Sequence, residues 1–433
     1  MSPESPSATD TPASADAGHD SGWADSAWYR SLRPRLAGGH EVRLLDSGAQ
    51  YFPALIEAID GAAKEVFIET YIFADDRSGR RVARALARAA ERGVQVTCVI
   101  DGFGTPRLLG DVARFLSTPG IRVETFRPER RRFALDRQRL RRLHRKMVVI
   151  DGRIAFIGGI NMLDDWFDPN HGELSAPRYD FAVQVRGPLV GIAHLATSRL
   201  WWELDLVNRS LGRPRIRGLA ASAREPFTWP GAVSSRVDRV GAMRAMLMLR
   251  DNVRYRRTIE GWYLRAIGRA KRDVLIANAY FLPGVRFRRA LARAAARGVR
   301  VRLLLQGRVE YKMQHYATQA LYERLLRHGI EIYEYRHSFL HAKVAVIDDQ
   351  ATIGSSNIDP FSLLLAREAN VVVDDSRFAG DLRENLELAI AERSERQALE
   401  THRRRPLPIR AMNWVAFVLL RFAVSISGVG DRY

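Results

Sequence analysis

The feature that most constrains the fold of this 433-residue chain is an internal repeat. Residues 56–95 and 264–300 each predict a helix, an apolar strand, an Ala/Arg-rich helix ended by glycine, and a second apolar strand. The predicted strands are Val66–Ile72 and Val94–Ile100 in the first copy, and Val274–Tyr280 and Val299–Leu305 in the second. A helix stopped by glycine and followed by a buried strand is typical of βαβ units. The repeat therefore predicts an α/β fold of two similar lobes, each a mostly parallel β-sheet flanked by helices.

The rest of the chain is divided around this repeat. We predict a first lobe over residues 31–212, a linker rich in Gly, Pro, Ser and Arg over 213–230, and a second lobe over 231–400. Residues 1–30 are rich in Ser, Ala, Pro and Asp and predict a disordered leader, not a signal peptide. Residues 401–433 predict a basic, amphipathic tail that interacts with a membrane.

Each half then contains the same short motif. In the first half it is LHRKMVVIDGRIAFIGGIN, with His144, Lys146 and Asp151. In the second half it is LHAKVAVIDDQATIGSSN, with His341, Lys343 and Asp348. Histidine and lysine are two residues apart at the start of a strand, so both side chains point to one face.

A histidine and a lysine on one face suit a phosphate group. Lysine supplies positive charge and hydrogen-bond donors, while histidine supplies a nitrogen that can attack phosphorus or transfer a proton. Two such pairs predict displacement at a phosphodiester, with one histidine as nucleophile and the other as acid and base. The spacing contains no metal-ligand pattern, so we predict no metal and no cofactor. The single cysteine, Cys98, lies in an apolar run and predicts a buried, inert thiol.

The turns after the motifs predict the supporting residues. Asn161 in the first copy, and Ser356 and Asn357 in the second, follow glycines that let backbone and small side chains approach a phosphate. Asp151 and Asp348 complete the motifs and are grouped with the predicted catalytic residues, although aspartate beside a turn is often structural.

These residues resemble the phospholipase D superfamily, whose signature is the duplicated HKD motif. Within it, the chain is similar to bacterial cardiolipin synthases of the short type without N-terminal membrane spans. Supporting stretches are NAYFLPG (278–284), EIYEYRHSFLHAK and IGSSNIDPFSLLLAREANVVV, and the resemblance covers residues 51–375. The stretch VEYKMQHY (309–316) is not matched to the family and is a candidate for shaping the acceptor pocket.

The resemblance implies roles for the site residues. It places the active site at the pseudo-twofold interface between the lobes, with His144 as nucleophile through a phosphohistidine intermediate and His341 as general acid and base. It implies that a downstream acidic residue orients each histidine, and the matching positions are Asp180 and Glu368. Structural, salt-bridged carboxylates are the alternative at both positions.

The net charge and the C-terminal tail indicate what kind of molecule the protein binds. The 68 Lys and Arg outnumber the 49 Asp and Glu, giving a net charge of +19, which predicts a polyanionic partner. Residues 127–146, with ten Lys and Arg, could bind lipid headgroups or nucleic acid, or form a solvated loop. The apolar segment 406–427 favours a lipid, as an interfacial helix anchored by Trp414; a helix docked on a lobe or a dimer partner is the alternative.

Together these features predict a phosphatidyltransferase. It would transfer a phosphatidyl group to the headgroup hydroxyl of phosphatidylglycerol, with anionic phospholipids as partners and phosphatidylethanolamine as a further lipid substrate. We predict peripheral association with the cytoplasmic face of the cell membrane and no obligatory nucleic acid. The alternatives are a phosphodiesterase that uses water, acting on lipid or nucleic acid, and an inactive anionic-lipid-binding module.

Overall fold

The computed structural model describes residues 32–128, 141–168, 171–210, 238–251 and 255–424. The predicted leader (1–30) and linker (213–230) lie outside these residues, as does most of the basic run at 129–140. Residues 1–33 are one unit, of which only residues 32 and 33 are described, and Pro34–Tyr433 are a second unit. Both copies of the repeat belong to that second unit.

The first half of the chain, which contains the first copy of the repeat, supplies nine strands and four helices to the described structure. They are β1 (Ala37–Asp46), α1 (Ser47–Asp60), β2 (Glu65–Thr70), α2 (Arg77–Glu91), β3 (Gln95–Asp101), α3 (Gly110–Leu116), β4 (Ile121–Phe126), β5 (Lys146–Ile150), β6 (Ile154–Gly158), β7 (Phe167–Asp168), β8 (Gly172–Glu173), β9 (Phe181–Arg186) and α4 (Leu189–Ser210).

The second half of the chain follows the same order of elements and ends in additional helices and a short strand. They are β10 (Met243–Arg250), α5 (Thr258–Arg269), β11 (Asp273–Asn278), α6 (Val285–Ala296), β12 (Arg300–Gln306), α7 (Lys312–Arg327), β13 (Glu331–Tyr335), β14 (Lys343–Ile347), β15 (Gln350–Gly354), α8 (Pro360–Leu364), β16 (Glu368–Asp374), α9 (Ser376–Arg393), β17 (Ser394–Arg396), α10 (Leu399–Arg403) and α11 (Leu407–Val424).

Within the described residues, both copies join in one sheet of 15 strands. The order in the first copy is β1-β9-β6-β5-β2-β3-β4, and in the second it is β10-β16-β15-β14-β11-β12-β13, with β17 at the far edge. The two halves meet where β1 pairs with β10, so the sheet has a pseudo-twofold relation at this seam. The predicted α/β fold with duplicated lobes is confirmed.

The sheet is mixed. The predicted parallel pairing is present in the βαβ strands, where β2, β3 and β4 are parallel, as are β11, β12 and β13. The other pairs of the large sheet are antiparallel, and two of them, β5 with β6 and β14 with β15, are motif strands joined to the next strand by a tight hairpin.

Each half has its own hydrophobic core between the sheet and its helices. In the first half, Asp76 caps α2 by accepting a hydrogen bond from the amide of Gly79 at 2.8 Å, and Leu86 is fully buried on the inner face. Burial of one such leucine contributes about 1.5–3 kcal/mol. The helices end as predicted, with Gly93 and Gly298 at φ of 89° and 86°, which glycine adopts without strain.

The C-terminal helix α11 packs along α7. Ala416 and Leu420 are buried in this contact, whereas Trp414, Leu419 and Phe422 are exposed. In the described part of the chain, no helix is both long enough and apolar enough to span a membrane.

Candidate active site

The two motif strands start at the same edge of the sheet. Lys146 is the first residue of β5 and Lys343 is the first residue of β14. Both strands run antiparallel to a βαβ strand, β5 against β2 and β14 against β11. Each motif therefore begins where the parallel strands end, which is the edge at which α/β sheets bind ligands.

Short backbone contacts between the halves hold the two motif histidines. The amide of His144 donates to the carbonyl of Arg367 at 3.0 Å, and the amide of His341 donates to the carbonyl of Tyr179 at 2.8 Å. Leu143 pairs with Arg367, and Leu340 pairs with Tyr179, each as a single parallel bridge. Each histidine is thus fixed by backbone from the other half.

The side chains repeat this exchange between halves. Nδ1 of His144 lies 3.0 Å from a carboxylate oxygen of Glu368, and Nδ1 of His341 lies 2.6 Å from a carboxylate oxygen of Asp180. Asp180 belongs to the first half and Glu368 to the second, so each carboxylate orients the histidine of the other half. Because Nδ1 is engaged, Nε2 is the nitrogen left for attack or proton transfer.

The two lysines are buried beside the histidines. Nζ of Lys146 donates to the carbonyl of His144 at 2.8 Å, and Nζ of Lys343 donates to the carbonyl of His341. Burial lowers the pKa of Lys146 to about 7 and that of Lys343 to about 8, although nearby Glu368 and Asp180 oppose the shift. A phosphate bound here would restore the lysine charge that burial disfavours.

The carboxylates differ in their surroundings. Burial raises the pKa of Asp180 to about 6, against the effect of Lys343. Burial also acts to raise the pKa of Glu368, but His144, Lys146 and the hydroxyl of Ser355 outweigh it and hold that pKa below the usual range.

Burial favours the neutral form of both histidines in the unliganded site. Burial lowers the pKa of His144, although Glu368 acts in the opposite direction. Burial also lowers the pKa of His341 well below its ordinary value, and Lys146 and His144 of the first half add to the shift. The charges of both halves therefore act on one site.

The predicted turn residues lie close behind the motifs. The side-chain oxygen of Asn161 accepts a hydrogen bond from the amide of Ile72 at 3.2 Å. Ser356 is fully buried and its hydroxyl donates to the carbonyl of Asn357 at 3.3 Å. The buried side-chain oxygen of Asn357 has no hydrogen-bond partner among the described residues.

The structure does not bring Asp151 and Asp348 together with the histidines and lysines of the motifs. Both follow the far end of their strands, roughly 16 Å from the lysine at the start, at about 3.3 Å per residue. The carboxylate of Asp151 accepts hydrogen bonds from the amides of residues 63–65 at 2.8–2.9 Å. That of Asp348 accepts from the amides of residues 271–273 at 2.9–3.1 Å. These aspartates tie the motif hairpins to the start of β2 and β11.

Three contacts near the site were not predicted. The hydroxyl of Ser355 donates to Glu368, the ring of Tyr71 packs on His144 with centroids 5.0 Å apart, and the hydroxyl of Tyr280 donates to Glu310 at 2.5 Å. Ser355 stands inside the second motif, so the motif itself contained a signal for it. The two tyrosines follow β2 and β11, where parallel strands end, and Tyr280 also lies in the stretch NAYFLPG (278–284) that supports the family resemblance.

The described residues contain no cluster of three or more His, Cys, Asp or Glu side chains arranged for a metal ion. The absence of a metal and of a cofactor from the reaction stays a prediction.

Two His–Lys pairs with exchanged carboxylates, brought together from the two halves of a duplicated mixed sheet, define the phospholipase D-like class of phosphodiester-transfer proteins. A family model described as "Cardiolipin synthase, PLD-like domain" matches residues 55–174 and 263–389. The chain belongs to this family and is a phosphatidyltransferase of the phospholipase D superfamily.

Individual proteins agree with this assignment. Cardiolipin synthase B of Escherichia coli (strain K12) is 37% identical over 365 residues, which cover 82% of this chain and 81% of that protein. Cardiolipin synthase A of Pseudomonas entomophila (strain L48) is 29% identical over 406 residues, covering 91% of this chain and 80% of that protein. The crystal structure of phosphatidylserine synthase of Haemophilus influenzae Rd KW20 has the same fold, with a TM-score of 0.62, 13% identity, and coverage of 93% of this chain and 98% of that one.

Proposed function

We propose that this protein is a cardiolipin synthase that moves a phosphatidyl group to the headgroup hydroxyl of phosphatidylglycerol. The observation that supports this most is the pair of histidines, each oriented by a carboxylate of the other half, in a chain of the cardiolipin synthase family. A single displacement would need an activated alcohol at once, whereas a histidine nucleophile divides the reaction into two easier steps.

In the first step, Nε2 of His144 attacks phosphorus and the bond to the leaving headgroup oxygen breaks. His341, protonated when the anionic lipid is bound, gives its proton to that oxygen. In the second step, the acceptor hydroxyl transfers its proton to His341 while its oxygen attacks phosphorus. The phosphorus–nitrogen bond then breaks and His144 is regenerated.

The other site residues act on charge and orientation. Lys146 and Lys343 hold the non-bridging oxygens, whose charge grows in the transition state. Asp180 and Glu368 fix Nδ1–H of the two imidazoles and stabilise the imidazolium form. Asn161, Ser356 and Asn357 would place amide and hydroxyl groups around the phosphate.

Purified protein incubated with phosphatidylglycerol vesicles tests this function, with products identified by mass spectrometry. Cardiolipin and glycerol in equal amounts are expected. Phosphatidic acid without cardiolipin would show a hydrolase, and no lipid consumption would exclude both activities. His144→Asn is expected to abolish lipid consumption, because it removes the proposed nucleophile.

We also propose that the enzyme binds the anionic, cytoplasmic face of the cell membrane as a peripheral protein. The net charge of +19 favours an anionic surface. Helix α11 packs on α7 through one face and exposes Trp414 and Phe422 on another, and an aromatic, apolar face suits a lipid interface.

Apolar side chains at the edge of the active site support the same orientation. Phe103 follows β3 and Tyr311 follows β12 in the other half, and both are about half exposed (49% and 50%). Trp166, which follows β6, is 55% exposed. These loops leave the sheet at the edge where the motif strands begin, so an enzyme resting on them would take its lipid directly from the bilayer.

A further inference from the structure

A narrow cavity lies in the second half, and two of its lining residues bond the backbone on either side of His341. Its lining includes Ala279, Gln306, Glu310 and Gln314, and its volume is about 20 Å³. A cavity of that size holds a single water molecule or one hydroxyl group. Glu310 and Gln314 belong to the stretch 309–316, the candidate for shaping the acceptor pocket.

The residues that line this cavity also hold the backbone on both sides of His341. The side-chain oxygen of Gln306 accepts a hydrogen bond from the amide of Leu340 at 3.0 Å. The amide of Ala279 donates to the carbonyl of Ala342 at 3.0 Å. The cavity lining is therefore bonded to the backbone that carries His341, the proposed acid and base.

Two polar atoms of the cavity lining are buried and without a hydrogen-bond partner among the described residues. They are Nε2 of Gln306 and Oε1 of Gln314. The orientation of Gln306 follows from its bond to Leu340, so its amide donor is the unpaired atom. Leaving a buried donor and a buried acceptor unpaired is costly, and a hydroxyl group, which both accepts and donates, would pair with both.

A tyrosine stands at the equivalent of Ala279 in the first half. Tyr71 stands two residues before Phe73, as Ala279 stands two residues before Phe281, and these phenylalanines make equivalent bridges in the two halves. The ring of Tyr71 contacts His144, whereas Ala279 is small and lines the cavity. In the half that carries the proposed acid and base, an alanine thus replaces this aromatic ring.

We propose that this hydroxyl slot, formed by Gln306 and Gln314 beside His341, binds a second hydroxyl group of a polyol acceptor. This inference rests on the proposed transferase function and assigns its acceptor class. While one hydroxyl of the acceptor attacks phosphorus, a neighbouring hydroxyl donates to Oε1 of Gln314 and accepts from Nε2 of Gln306. A vicinal diol such as the glycerol headgroup is therefore preferred over a monohydroxy alcohol.

Competition between 1,2-propanediol and 1-propanol tests the slot, because these acceptors have equal carbon counts and differ by one hydroxyl. With phosphatidylglycerol vesicles as donor, the wild type is expected to form the diol ester roughly five- to tenfold faster than the propyl ester, the effect of about one hydrogen-bonded hydroxyl. Gln314→Leu removes the acceptor and is expected to lose this preference while its transfer to 1-propanol changes less than about twofold.

Two further variants make the assignment specific. Gln314→Glu keeps an acceptor oxygen in nearly the same shape and is expected to keep the diol preference. Gln95→Leu makes the same chemical change at an exposed position outside the cavity lining. It is expected to change the rate of transfer to neither alcohol.

Equal use of the two alcohols by the wild type, or an unchanged diol preference in Gln314→Leu, would contradict the proposed hydroxyl slot. The cavity would then hold only a structural water molecule. A parallel fall in both transfer rates, with a lower Tm, would assign Gln314 to packing and also overturn it. If the wild type consumed no lipid at all, the proposed function would fail, and the slot with it.

Discussion

At the scale of single residues, the buried lysines make activity depend on pH. The pKa of Lys146 is about 7 and that of Lys343 about 8, because burial disfavours their charge. A neutral lysine no longer stabilises the phosphate oxygens, so kcat/KM should fall as the pH rises through 7 to 8. Bound lipid phosphate raises both lysine pKa values, so the fall in kcat should lie at higher pH than that in kcat/KM.

Lys146→Arg checks the origin of this fall. Arginine stays charged throughout the range, so the decline in kcat/KM should move from about pH 7 towards the pKa of Lys343, about 8. The shape of the profile is the measurement, and it is independent of any overall loss of rate. An unmoved decline would assign the alkaline titration to another group.

The two motif aspartates should act on stability and not on chemistry. Backbone amides of residues 271–273 outweigh burial and hold the pKa of Asp348 below its usual range. A lowered carboxyl pKa contributes stability above the unfolded value near 4, and this stability is lost as the pH falls through the folded pKa.

Asp348→Asn should therefore lower the free energy of unfolding at pH 7 by about 2 kcal/mol, the range for hydrogen bonds to a charged group. Asparagine tolerates the left-handed conformation of this position, where φ is 49°. Urea denaturation measures the loss, which should shrink towards pH 3, and the kcat of the folded variant should stay within about threefold of wild type. A hundredfold lower kcat with unchanged stability would return Asp348 to the catalytic residues.

At the scale of elements, the parts that could be predicted from sequence are those set by neighbouring residues. The strand predicted at Val94–Ile100 is observed at Gln95–Asp101, and both repeat helices end before their predicted glycines. The placement of histidine and lysine at a strand start follows from local alternation. The pairing of β1 with β10 could not be predicted, since it depends on contacts between segments about 200 residues apart.

The helix α11 could be identified from its composition, but its two faces could not be assigned to solvent or protein. Replacing Trp414 and Phe422 together by serine should weaken binding to phosphatidylglycerol vesicles roughly tenfold or more, because both side chains are exposed and would lose their burial in lipid. Co-sedimentation measures the binding, and Tm should be unchanged.

Leu420→Ser is the matched control on the same helix. Leu420 is buried against the second core, so this change should lower Tm and leave the vesicle affinity of the folded protein unaltered. If the double variant bound vesicles as tightly as wild type, α11 would be a packing element only.

At the scale of the whole molecule, the sequence indicated that two half-sites meet but not how they are connected. Asp180 follows the first motif and Glu368 follows the second, so proximity along the chain suggests that each serves its own half. The structure connects them the other way, with Asp180 on His341 and Glu368 on His144. Only the pairing of backbone between halves at Tyr179 and Arg367 produces this exchange, and such long-range contacts have no local signature.

The exchange can be tested with a phosphatidyl ester of p-nitrophenol, a leaving group that needs no proton from His341. Attack by His144 then depends on Glu368, while breakdown of the phosphohistidine depends on His341 and hence on Asp180. Asp180→Asn should release about one equivalent of nitrophenol in a burst and then turn over roughly 10- to 100-fold more slowly than wild type. Glu368→Gln should show no burst, since the first step itself is slowed. If each carboxylate served its own half, the two variants would exchange these behaviours, because the burst is governed by whichever carboxylate orients the nucleophile.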